Sequence, residues 1–203
     1  MRKWLCVPMM TLCVLLAGCG VGENAAGKTD LRQVYQAMDG CVMEAVITGG
    51  TEEVTVFTLR CEYTPGAASV VEILAPETAA GIRAVVDGSD LSVVYEDLCL
   101  PAGNIGDEKI SPAVCLPRMM DILREGWLLE EGSETQEEVP CRRLCLDGSE
   151  SGTGVESVFW LRETDGMPLR GEIFVDGEII LTAEFTNFQF CDKITSQAGA
   201  FSG

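Results

Sequence analysis

Residues 155–190 read VESVFWLRETDGMPLRGEIFVDGEIILTAEFTNFQF, and this stretch decides the fold. Three runs rich in Val, Ile, Phe and Thr, over 155–162, 169–175 and 179–190, are separated by Asp165-Gly166 and Asp176-Gly177. Asp-Gly between alternating apolar segments is among the strongest hairpin signals, because both residues tolerate the left-handed backbone that a tight turn requires. The last run is long enough to bend around a sheet. Immediately upstream, Asp147-Gly148 closes a further run over 141–146, so the C-terminal part of the chain reads as consecutive antiparallel strands.

The N-terminal half repeats the pattern. Asp30 with Gln33 three residues on forms a helix start, and Leu31, Val34, Tyr35 and Met38 recur at helical spacing up to Gly40. The period then changes to two. Cys41, Met43, Ala45 and Ile47 alternate with Val42, Glu44, Val46 and Thr48. Gly49-Gly50 then supplies turn residues before a second arm over 54–63. Pro65-Gly66 breaks the chain. Runs over 69–75, 82–86 and 91–95 follow, the last two flanking Asp87-Gly88-Ser89-Asp90. One helix interrupts the strands: Pro117 suits a first helical position, Leu116, Met119, Met120 and Leu123 share a helical face, and Gly126 is placed as a stop. Short turns favour an antiparallel meander over a parallel sheet, whose crossovers each need a dozen or more residues. The class is α+β, mostly β.

Composition narrows function by exclusion. The 203 residues carry 32 Asp or Glu against 14 Lys or Arg, a formal charge of -18, and no His. Such a chain repels nucleic acid and anionic head groups, which need a positive surface to displace their counterions. Without imidazole there is no Ser-His or Cys-His nucleophile pair and no ordinary neutral zinc ligand. With 47% apolar residues the chain can nevertheless bury a core. No segment follows the calcium-loop pattern, and nothing meets a nucleophile-plus-base checklist. Neither catalytic residues, a metal nor a cofactor is expected, and a carboxylate-dependent hydrolase is the remote alternative. The acidic runs Glu130-Glu131, Glu134, Glu137-Glu138 and Asp147 to Glu150 read as solvated turns or loops, and Arg60 and Arg170 as outer-face partners for Glu.

The chain opens with Met1-Arg2-Lys3 and an uncharged apolar run from Trp4 to Ala17, the pattern of a secretory signal and too short to span a bilayer. It ends in Leu16-Ala17-Gly18-Cys19, which resembles the bacterial lipobox. That resemblance implies acylation of the Cys19 thiol and cleavage before it. Residues 1–18 are then a lipoprotein signal peptide, 19–29 the lipidated Cys and a Gly- and Ala-rich tether, 30–194 the folded domain and 195–203 a disordered tail. Each buried acyl CH2 contributes about 0.8 kcal/mol, so two or more chains hold the protein at the extracytoplasmic face of a membrane without a basic patch. Loss of Arg2 and Lys3 takes the charge from -18 to -20.

In the order of these features the chain resembles the LolA/LolB-like lipoprotein carrier superfamily, in particular its lipobox-bearing members from Gram-positive spore formers. The resemblance runs from the opening helix through Val70 to Leu74 with Pro76-Glu77, Gly81-Ile82 with Asp87-Gly88, and Leu91 to Tyr95. It continues in the helix around Pro117 to Arg124, Phe159-Trp160-Leu161, Gly166 to Arg170, and Asn187-Phe188. It implies a strongly curved antiparallel sheet, an incomplete half barrel, with helices over its concave face. In carriers that face shelters acyl chains. By alternation, Met43, Ile47, Phe57, Leu59, Ile73, Leu91, Val93 and Tyr95 would line it, with Leu116, Met119, Met120 and Leu123 on a covering helix. Relatives in spore formers act instead as envelope lipoproteins supporting germination through a protein partner, which requires no pocket. A lipid site predicts a cavity under the Leu116 to Leu123 helix, whereas a partner site predicts a filled core and an exposed patch.

Beyond Cys6, Cys13 and Cys19, seven cysteines remain, at 41, 61, 99, 115, 141, 145 and 191; an odd count leaves at least one thiol free or intermolecular. Cys41 and Cys61 fall on one face of adjacent strands and could be bridged if the register aligns them.

Overall fold

The computed structural model describes residues 30–49, 54–104, 111–149 and 154–191; the signal segment, Cys19, the tether and the tail lie outside the described residues. Helix α1 spans Leu31–Ala37, opened by the Asp30 carboxylate, which accepts the Arg32 N–H at 3.1 Å. It stops before Gly40 because Met38 already adopts extended backbone. Strands β1 (Cys41–Gly49), β2 (Thr55–Tyr63), β3 (Ser69–Ala75), β4 (Arg83–Asp87), β5 (Asp90–Tyr95) and β6 (Leu98–Asn104) follow. Helix α2 (Pro112–Glu125) leads into β7 (Trp127–Gln136), β8 (Val139–Asp147), β9 (Val155–Arg162), β10 (Pro168–Val175) and β11 (Glu178–Phe190).

All eleven strands form one sheet in the order β6-β5-β4-β3-β2-β1-β11-β10-β9-β8-β7, every neighbouring pair antiparallel. Two meanders thus meet where β1 pairs with β11. The chain leaves the first meander at one edge, β6, and enters the second at the opposite edge, β7, so α2 must cross the sheet. It packs against β2, β3 and β4 on one side and β8 and β9 on the other. In a flat sheet β4 and β8, seven strand positions apart, would be separated by about 34 Å. Neither the ~11 Å width nor the ~21 Å length of a 14-residue helix covers that distance. The sheet therefore curls around α2 without closing, an open half barrel.

Three expectations are corrected. Nine strands are legible in the sequence and eleven are present among the described residues, the additional β6 and β7 being the two edges. Helix α2 begins at Pro112, not Pro117; Ser111 precedes it with extended backbone, and Pro117 lies buried inside the helix. Glu130, Glu131 and Glu134 stand on β7, not in a loop. There they pair with Arg143 and Arg142 of β8, at 3.0 Å for Glu130–Arg143 and 2.8 Å for Glu131–Arg142. Arg60 and Arg170 do find Glu partners, Glu62 at 3.4 Å and Glu172 at 2.6 Å.

The core lies between the concave face and the helices, where Met43, Ala45, Leu59, Cys61, Leu116, Met119, Leu123, Phe159 and Ile173 are fully buried. A smaller apolar cluster occupies the other face of β8–β10: Cys141, Cys145, Val158 and Trp160. Polar groups close over it. The Trp160 indole N–H donates to Glu134 at 2.6 Å, and the Arg170 guanidinium sits 5.8 Å above its ring.

Candidate functional site: the concave face

The two helices are fixed to each other before they cover the sheet. Arg32 on α1 donates from Nε to the Leu123 carbonyl at 3.1 Å, and its Nη2 reaches the carbonyls of Arg124 and Gly126. Gln36 donates to the Arg124 carbonyl at 3.2 Å. These are the carbonyls that a helix C-terminus leaves without intrahelical partners. Arg124 returns the contact through Nε to the Tyr35 carbonyl at 3.2 Å. Beneath it, the Tyr63 hydroxyl donates to Asp121 at 2.5 Å, and burial pushes the Asp121 carboxyl above its ordinary value. Tyr35 hydroxyl donates to the Gly166 carbonyl at 2.6 Å, tying α1 to the β9–β10 turn.

Under this cover the face is solid. Met43, Ile47, Leu59, Leu116, Met119, Met120 and Leu123 are all buried at 1% exposure or less and pack on one another. Phe57, Ile73 and Leu91 are half-buried at the margin of that core, and Val93 is half-buried beyond it. Tyr95 is 49% exposed. Of these twelve residues, eight chosen by alternation and four on the helix, seven lie in the packed core, Phe57, Ile73 and Leu91 at its margin, and Val93 and Tyr95 beyond it.

The register shows where the uncovered face leads. Val93 stands opposite Leu100 and Tyr95 opposite Leu98, so these pairs project on one side of the sheet. Leu98 and Leu100 are 64% and 61% exposed. An apolar strip thus runs from Leu91 and Val93 through Tyr95 to Leu98 and Leu100, on the same face as the core. Sequence reading missed Leu98 and Leu100. The usable signal was the Tyr95-Glu96-Asp97-Leu98 turn, in which Glu96 takes a positive φ of 51°, followed by a second alternation.

The seven cysteines among the described residues are free thiols. A Cys41–Cys61 bridge would need aligned positions, but Cys41 stands opposite Tyr63 and Cys61 opposite Met43. The offset of two makes the pair diagonal, at a Cα separation of about 7–8 Å, beyond the ~6.8 Å a disulfide spans. Burial pushes the Cys41 and Cys115 thiols up to about 12 and Cys61 well above its ordinary value. Among the described residues no group of three or more His, Cys, Asp or Glu could hold a metal ion, and no helix is long and apolar enough to cross a membrane.

No protein-family model and no curated protein matches the chain. Several solved structures are similar to it in fold. A LolA superfamily protein from Nitrosomonas europaea is 13% identical, covering 83% of this chain and 95% of its own, with a TM-score of 0.43. A DUF1329 family protein from Desulfovibrio piger is 14% identical, covering 81% and 90%, with a TM-score of 0.48. The lipoprotein LppX from Mycobacterium tuberculosis is 14% identical, covering 78% and 93%, with a TM-score of 0.38.

Proposed function

We propose that this protein is a nonenzymatic lipoprotein, anchored through acyl chains on Cys19 at the extracytoplasmic face of the cell membrane, that holds an apolar, lipid-like ligand on the uncovered part of its concave face. The observation that carries this reading is the apolar strip Leu91, Val93, Tyr95, Leu98 and Leu100, continuous with the core face and open to solvent. Leaving a Leu side chain in water forgoes about 1.5–3 kcal/mol relative to burying it. An acyl chain laid along the strip recovers that for several side chains at once. The ligand sits beside the core and not beneath α2, because the seven residues there already fill the space.

Titration of the full chain with a fluorescent fatty acid tests the site. Leu98→Asp with Leu100→Asp is expected to weaken binding at least tenfold while leaving the thermal transition within about 2 °C, since both side chains are exposed; equal binding by the two chains would contradict the placement. Anchoring is tested separately. Cys19→Ala is expected to move the protein from the membrane fraction to the soluble one, and unchanged retention would refute acylation at Cys19.

A second reading has its own support. The filled core beneath α2 is what a lipoprotein acting through an envelope protein partner requires, with the same exposed strip as its contact surface. Fatty-acid titration separates the two, because a partner surface of this kind has no saturable affinity for a monomeric acyl chain.

A further inference from the structure

At the other edge of the sheet, far along the strand order from Leu98 and Leu100, the end of α2 and the end of β8 enclose a cleft of about 290 Å³. Trp127, the first residue of β7, lies in its wall and is 77% exposed. The register sets Trp127 opposite Asp147, so indole and carboxylate project on the same side with Cβ atoms about 5 Å apart. Asp147 accepts the Ser149 N–H at 2.8 Å, and hydrogen bonding by the Ser149 side chain and backbone keeps its carboxyl below its ordinary value. Glu125, exposed at the end of α2, brings a second carboxylate to the same wall, its Oε1 accepting from Arg124 Nη1 at 3.2 Å and its other oxygen open to a further donor. The other charged groups of the cleft are engaged elsewhere: Asp121 accepts from Tyr63, and Arg118 donates to the Gly148 carbonyl at 2.8 Å.

An exposed indole flanked by two carboxylates is matched by a planar cation. A guanidinium stacks on the ring face and directs its N–H groups in a fork that suits carboxylate oxygens, which a compact ammonium does less well. The cleft, at about 290 Å³ and open to solvent, has room for one long side chain reaching in from a partner's surface. A chain of formal charge -18 also draws basic partners by its long-range field.

We infer that the Trp127 cleft receives an arginine side chain from a basic segment of a protein partner, its guanidinium stacked on Trp127 and hydrogen-bonded to Asp147 and Glu125. This site is separate from the apolar strip and stands or falls without it.

The test is an NMR titration of the full 15N-labelled chain in detergent micelles with the peptide acetyl-Gly-Gly-Arg-Gly-Gly-amide, following the indole N–H signals. The Trp127 signal is expected to shift along a saturating curve while that of Trp160, committed to Glu134, stays in place. The same peptide with citrulline, which keeps the shape and removes the charge, is expected to leave Trp127 unmoved. Asp147→Asn and, separately, the exposed Glu125→Gln are each expected to weaken the arginine peptide several-fold. Glu77→Gln, an exposed carboxylate in the β3–β4 turn, is expected to leave it unchanged. No shift at Trp127, or equal weakening by Glu77→Gln, would overturn the inference, the latter by reducing it to diffuse attraction to an acidic surface.

Discussion

The thiols show how far side-chain environment departs from composition. The seven cysteines after residue 19 look alike in sequence, yet Cys41, Cys61, Cys115, Cys141 and Cys145 are buried, Cys191 is half-buried and Cys99 is exposed. Alkylation of the native protein at pH 8 is expected to modify Cys99 first and to spare Cys41, Cys61 and Cys115 until the chain unfolds. Peptide mass mapping reads this directly, and early labelling of Cys115 would contradict the packed core. The same burial sets a pH dependence. A thiol whose pKa is raised in the folded state favours folding fully below its unfolded value near 9.0, and loses that contribution as pH rises toward about 12. Thermal midpoints are therefore expected to hold between pH 7 and 8.5 and to fall between pH 9 and 11; a flat profile across that range would show the thiols to be solvated.

At the scale of elements, what was legible in the sequence follows from what is paired. Asp165-Gly166 and Asp176-Gly177 mark real hairpins because their strands are interior, each with neighbours on both sides enforcing alternation. Strands β6 and β7 escape detection for the converse reason. Each pairs on one side only, and β7 leaves eight of its ten residues exposed and the other two half-buried, so its alternation carries no hydrophobic contrast. The start of α2 was misplaced because Pro117 and Pro112 both suit a first helical position, and only packing separates them. Alternation alone could not tell core from open surface: Leu59 and Tyr95 share a face of the sheet, yet Leu59 is fully buried and Tyr95 is 49% exposed. The helix clasp was invisible, because Arg32 and the carbonyls of Leu123, Arg124 and Gly126 are some ninety residues apart. Arg32→Ala is expected to cost about 2–3 kcal/mol, since it strips charge-assisted bonds from partly buried carbonyls. A domain of this size should then melt about 5–10 °C lower by circular dichroism. A change under 2 °C would mean that water replaces the guanidinium and that α2 is held by its apolar face alone.

For the whole molecule, the sheet order explains why the two proposed surfaces lie at opposite edges. Because β6 and β7 are the opposite edges, the single crossing by α2 fills the middle of the trough and leaves its outer part bare. The apolar strip lies at one edge and the acidic Trp127 cleft at the other. A tether from Cys19 would hold both surfaces outside the membrane on a chain whose charge keeps it clear of anionic head groups. The proposal that the strip holds a lipid-like ligand is tested most directly by native mass spectrometry of the Cys19→Ala chain, purified from cells without detergent, followed by extraction of bound material. The expected result is a stoichiometric added mass that extracts as an acyl lipid and disappears when Leu98→Asp and Leu100→Asp are introduced. A clean apo mass would contradict ligand holding and leave the strip as a surface for a protein partner.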